Sequence, residues 1–208
     1  MELYNMSINE YLELLSSNAP APGGGSAAAL CGAQGVSLAI MVLSLTIGKE
    51  KYKEYESLCI DTKNQLTKIK KDFLDAMERD TKTFEVMENV FKMPKETEED
   101  KKLRKEKMQE ALKICTKTPL EMMQYANCAL DYVQKIVGKS NQSACSDLGV
   151  SALNLQSAIQ GAYLNVLINL SGIKDEEFVK ENKNKANDYL NNALNVSKQI
   201  YEEVKNSL

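Results

Sequence analysis

The segment from Asn18 to Gly35 reads NAPAPGGGSAAALCGAQG. Two prolines and three consecutive glycines run directly into small residues. No charged residue occurs between Glu13 and Lys49. The stretch from Ser26 to Ile47 is therefore long and apolar enough to be a membrane span by length alone. It also contains Gln34, Ser37, Ser44, Thr46 and two glycines. Gly25, Ala28, Ala29, Gly32, Gly35 and Ala39 recur at spacings of three and four, which gathers much of the set on one side of a helix. Small residues there let another backbone come close. The pattern predicts a buried central helix, inside a bundle or across a dimer interface, and no membrane association.

Helical spacing continues outward from this segment, and strand-like alternation is scarce. The periodicity predicts helices near 6–17, 26–47, 50–91, 97–136, 146–171 and 175–206. Pro94 closes the third, and Pro119 is expected to break or kink the fourth. GKSNQSACSD (138–147) reads as a loop with Ser146 as an N-cap. The mixed-charge run KETEEDKKLRKEK (95–107) reads as a solvated loop and helix start. The expected fold is all-α, a single-domain antiparallel helical bundle over residues 1–208.

Bulk composition narrows the function classes. The chain has 208 residues, a net charge of −3, five cysteines and no histidine. A domain of this size buries roughly 70% of its unfolded surface and needs no staples. The charge provides no global attraction to nucleic acid or anionic lipid. An odd cysteine count without Cys-x-x-Cys points to free thiols in a reducing, cytoplasmic setting. The acidic residues of MELYNMSINEYLELL argue against a signal peptide there. Without histidine, Ser-His and Cys-His catalysis are excluded, as are the commonest transition-metal sites.

Three local patterns carry chemistry. Gly23, Gly24 and Gly25 precede Ser26, placed where an N-cap belongs. Glycine backbone approaches a ligand unobstructed, and a helix N-terminus favours a carboxylate or developing oxyanion. A tight turn entering a buried helix is the alternative. Next, Leu66, Ile69, Phe73, Met77, Phe84, Met87 and Phe91 follow helical spacing, and the series is interrupted by Asp80. A carboxyl held against apolar walls has a raised pKa, suited to acid–base work near neutral pH. Otherwise it is a buried Asp satisfied by a structural donor, or the stripe has reached the surface. Finally, Asp147, Ser151, Asn154, Ala158, Gly161, Asn165 and Asn169 share a stripe on the fifth helix. Its amides offer donors and acceptors to a flat heterocycle, or a polar network between helices.

Together, APAPGGGSAAALCGAQG with LTIGKEKY, MERDTKTFEVMENVFKMPK, TKTPLEM and SNQSACSDLGVSAL…GAYLNVLINL occur in one order and span nearly the whole chain. In this the sequence resembles the cyclodeaminase domain of formiminotransferase-cyclodeaminase and its stand-alone bacterial relatives, some described as methenyltetrahydrofolate cyclohydrolases. The resemblance implies a homodimer with a pocket for tetrahydrofolate derivatives, polyglutamylated forms among them. It implies no cofactor beyond the folate substrate and no metal. Asp80 matches the family's acid–base carboxylate, and Glu78 stands where a second acidic residue is usual. Gly23, Gly24, Gly25, Ser26, Asn141, Asp147, Asn165 and Asn169 fall in the pocket motifs. The family's GN before the fifth helix is here GKSN. Lys49, Lys51 and Lys139 are candidates to meet the anionic glutamate tail. Two rival readings are a non-catalytic helical adaptor, which would not bind folate, and a membrane-anchored bundle.

Overall fold

A computed structural model describes residues 2–208. Its helices are α1 (Ile8–Leu15), α2 (Gly24–Ser44), α3 (Glu56–Phe91), α4 (Glu98–Ile136), α5 (Cys145–Leu170) and α6 (Glu176–Ser207), with short 3-10 turns at Leu3–Asn5, Glu50–Tyr55 and Gln142–Ala144. No strand occurs among the described residues. Short connections make successive long helices antiparallel neighbours, as in bundles generally.

Local signals explain most boundaries. Ser7 and Glu10 form a capping box at α1, and Thr97 and Asp100 form another at α4. Asp175 caps α6 by accepting from the Phe178 N–H. Two expected starts differ. α5 begins at Cys145, so Ser146 lies inside its first turn. α2 begins at Gly24 with Gly23 as N-cap, so Ser26 is within the helix. Its hydroxyl is freed from capping and turns toward α3.

α2 lies among α3, α4 and α5. Ala29, Val36, Ala39, Val42 and Leu43 along it are fully buried. It is the one helix among the described residues long and apolar enough to cross a membrane. Its apolar surface instead packs largely against protein. At Gly32 a Cβ would overlap the Phe73 ring. At Gly161 of α5 a Cβ would lie 2.9 Å from that of Ala28. The small-residue pattern thus brings both neighbouring helices onto α2.

Pro119 does not end α4, which runs unbroken from Glu98 to Ile136. Proline removes the N–H that would serve the carbonyl four residues back, here that of Cys115. Asn169 of α5 donates its Nδ2 to that carbonyl at 3.0 Å. A neighbouring helix supplies the missing donor, so the helix continues through a residue that would usually interrupt it.

Candidate functional site

α3 carries the reactive candidate. Leu66, Ile69, Phe73 and Met77 are buried in the core. Beyond them the stripe leaves the core. Phe84 and Phe91 are 37% and 53% exposed. Together with Met87 they line a cleft of about 310 Å³. Asp80 stands at this transition, half-buried, with the glycines of α2 opposite.

The approach between α2 and α3 is set by Gly25. A Cβ at that position would overlap the Asp80 carboxylate. One residue on, the buried Ser26 hydroxyl lies 3.3 Å from Asp80 Oδ2, 3.3 Å from the Met77 carbonyl and 3.1 Å from Thr81 Oγ1. Burial pushes the Asp80 carboxyl above its ordinary value, while the Ser26 hydroxyl and backbone N–H pull it partly back. No lysine or arginine forms a salt bridge with it among the described residues. Two influences therefore oppose each other at one carboxyl: apolar walls favour the acid and the Ser26 donors favour the carboxylate.

α5 closes the opposite wall with Asn165, Ile168 and Asn169. Asn165 donates Nδ2 to the Gly161 carbonyl at 2.9 Å. Its Nδ2 would lie 3.8 Å from a Cβ on Gly24. Cys115 completes the floor and donates its thiol to the Thr83 carbonyl at 3.4 Å. Burial first, then the nearby Asp80, push that thiol's pKa up. It is held protonated, which makes it a poor nucleophile.

Of the residues singled out from sequence, Gly23, Gly24, Gly25, Asp80, Asn165 and Asn169 line this one cleft. Ser26 backs Asp80 from behind. The chain does not bring Lys49, Asn141 or Asp147 there. Lys49 follows the far end of α2, whose 21 residues span about 30 Å at 1.5 Å per residue. Asn141 lies at that same end. Its N–H donates to Thr46 Oγ1 at 2.8 Å, and its Nδ2 to the Leu45 carbonyl at 3.2 Å. Asp147 and Asn165 share a line on α5, yet 18 residues of helix separate them by about 27 Å. A shared helical face does not make a shared site. Glu78 points away too, accepting from the Tyr4 N–H at 3.3 Å. Thr81, Thr83, Cys115 and Pro20 were missed. Cys115 could have been found from Pro119, because the carbonyl that a mid-helix proline orphans must meet a donor.

The fold and cleft define a class: an all-helical bundle presenting one half-buried carboxylate between a glycine-opened helix start and an amide-bearing helix. Residues 7–188 match the formiminotransferase-cyclodeaminase family model, and the chain belongs to that family. It is 36% identical to a methenyltetrahydrofolate cyclohydrolase of Methylorubrum extorquens, covering 98% of each chain. It is 34% identical to a formimidoyltransferase-cyclodeaminase of Dictyostelium discoideum, covering 98% of this chain but 37% of that protein. A crystal structure of formiminotetrahydrofolate cyclodeaminase from Thermotoga maritima superposes with a TM-score of 0.83 at 25% identity, covering 100% of this chain and 98% of that one.

Proposed function

We propose that this protein is a folate one-carbon enzyme that cyclises 5-formiminotetrahydrofolate to 5,10-methenyltetrahydrofolate and releases ammonia. The single observation that carries the reading is Asp80, paired with no cation among the described residues, at the wall of a cleft with apolar and amide surfaces. Phe84, Met87 and Phe91 offer apolar contact to the pterin and aminobenzoyl rings. Asn165 and Asn169 stand opposite as polar contacts.

The chemistry needs one base that becomes an acid. Holding N10 near the formimino carbon on N5 makes the attack intramolecular. The formimino group enters protonated, as an amidinium; the N10 lone pair forms the new C–N bond, and the Asp80 carboxylate takes the N10 proton. The resulting carboxylic acid returns that proton to the former imino nitrogen. The C–N bond to that nitrogen breaks and ammonia departs. The methenyl cation remains and the carboxylate is restored. A group balanced between burial and hydrogen bonding suits both steps.

Cyclohydrolase activity is the second reading, supported by the Methylorubrum relative, whose length this chain matches. Water adds to the methenyl carbon and Asp80 accepts one of its protons; Asp80 then passes that proton to N5 as the C–N5 bond breaks, and the adduct's hydroxyl releases its proton to solvent to give the formyl carbonyl of 10-formyltetrahydrofolate. Neither route calls for a metal or a cofactor beyond the folate. A cytoplasmic location and a homodimer belong to the same proposal. An open apolar groove of about 620 Å³ lined by Leu30, Ala33, Leu38, Met41 and Leu74 supports self-association.

The purified protein should convert 5-formiminotetrahydrofolate with methenyl absorbance and ammonia rising in equal amounts. A fall in absorbance when methenyltetrahydrofolate is supplied, without activity on the formimino compound, would favour the second reading. Failure on both substrates would reject the family activity for this chain.

A further inference from the structure

Asp80 meets the first turn of α2, and one hydroxyl in that turn has more neighbours than protons. The first backbone bond within α2 runs from the Ala27 N–H to the Gly23 carbonyl. The Ser26 N–H is therefore one of the unpaired donors of a helix start, and it donates to the Asp80 carboxyl. The Ser26 hydroxyl has three oxygens around it: the Met77 carbonyl and Asp80 Oδ2, each at 3.3 Å, and Thr81 Oγ1 at 3.1 Å. Farther along α2, Ser37 and Ser44 commit their hydroxyls to single carbonyls at 2.7 and 2.8 Å. Ser26 approaches none of its neighbours that closely.

Thr81 also departs from the habit of helical threonines in this chain. Thr67 and Thr116 return their hydroxyls to the carbonyl four residues back, at 2.7 and 2.8 Å. For Thr81 that carbonyl belongs to Met77, and Ser26 donates to it instead. The Thr81 hydroxyl reaches across to α2 and meets Ser26. Thr81 lies next to Asp80 in sequence and lines the same cleft.

An ionised carboxylate only accepts hydrogen bonds, and a hydroxyl has a single proton to give. When Ser26 gives its proton to the Asp80 carboxylate, the contact with Thr81 is a hydrogen bond only with Thr81 as donor. We propose that Thr81 is a positioning residue: it donates to Ser26, keeps the Ser26 proton directed at Asp80, and so stabilises the ionised, proton-accepting form of that carboxyl. Two hydroxyls in series polarise each other, which strengthens the bond to the carboxylate by about 10–30%. The use of that carboxylate as a base rests on the folate reading above. Few other groups near Asp80 titrate. Tyr11 of α1 is pushed to higher pKa by burial, then by Cys31 and Asp80. Cys115 of α4 is pushed up by burial and then by Asp80. Both are neutral where a carboxyl ionises. Asn165 and Asn169 of α5 carry no charge, and on α3 itself Glu78 meets Tyr4 and Arg79 meets Glu121.

The test titrates the Asp80 carboxyl by NMR in protein with labelled aspartate, using Asp80→Asn to assign the signal, and records kcat/KM against pH alongside. Thr81→Val keeps the β-branched shape and removes the hydroxyl; Thr81→Ser keeps the hydroxyl. In Thr81→Val the carboxyl midpoint should rise by about 0.3 pH unit or more, the scale of a cooperative gain on a charged hydrogen bond. The acidic limb of the rate profile should rise with it, and Thr81→Ser should stay near the parent. In a Ser26→Ala background Thr81→Val should add no further shift, because Thr81 acts through Ser26. A midpoint that stays or falls in Thr81→Val would overturn the proposal. So would a full shift in Thr81→Ser, or an equal shift without Ser26. If the midpoints move as stated and no folate is turned over, the enzymatic reading fails and the Thr81–Ser26 chain stands.

Discussion

Asp80 and Ser26 act as a pair, and their opposing influences make the site testable residue by residue. Ser26→Ala removes a donor that stabilises the ionised carboxyl. The pKa of Asp80 should then climb further, and the acidic limb of the kcat/KM–pH profile should move to higher pH. An unmoved limb would remove Ser26 from the site. Stability follows the same shift. Below the ordinary value of 3.8, Asp80 is protonated in both folded and unfolded chains and contributes nothing by ionisation. As pH rises through that value the unfolded chain loses its proton first, and folded-state stability declines until the native group ionises as well. Asp80→Asn is free of that loss. Its thermal midpoint should exceed the parent's at neutral pH, and the excess should vanish below the ordinary aspartate range. Asp80 was legible because a carboxyl broke an apolar series. Ser26 was legible only as a polar residue at a helix start. Its actual partner lies 54 positions away, a tertiary relation that no local spacing reports.

At the scale of elements, the informative case is the passage of α4 through Pro119. The Cys115 carbonyl depends on Asn169 rather than on its own helix. Asn169→Ala should cost about 1–2 kcal/mol by orphaning that carbonyl. Pro119→Ala restores an N–H four residues on, so the same Asn169 change should cost less in that background. A double-mutant cycle by chemical denaturation measures the difference, and strict additivity would refute the assignment. Helix existence, order and approximate bounds could be read from periodicity and capping residues, because both signals are local. The continuity of α4 could not, since it relies on a side chain from α5. The amide stripe of α5 was visible as a line, but its length was misleading: Asn165 and Asn169 belong to the cleft, while Asp147 sits at the far end. The charged run 95–107 read as plain solvated surface. Only the folded chain gathers four of its cations beside Lys174.

For the whole molecule, the small residues of α2 set how closely the bundle closes around the cleft. Gly32→Ala would drive a methyl group into the Phe73 ring, and overpacking of this kind costs about 1–3 kcal/mol. The variant should show a lower denaturation midpoint with an unchanged denaturant dependence; parent-like stability would mean that α2 and α3 are not held this tightly. The same closeness sets the Asp80 carboxylate directly against Gly25, with no room for a Cβ between them. The most direct measurement compares the parent with Asp80→Asn for both binding and turnover of 5-formiminotetrahydrofolate, with helical content followed by circular dichroism. The account predicts an unchanged helical spectrum, retained folate binding and loss of ammonia release. Ammonia release by the folded variant at the parent's rate would contradict it.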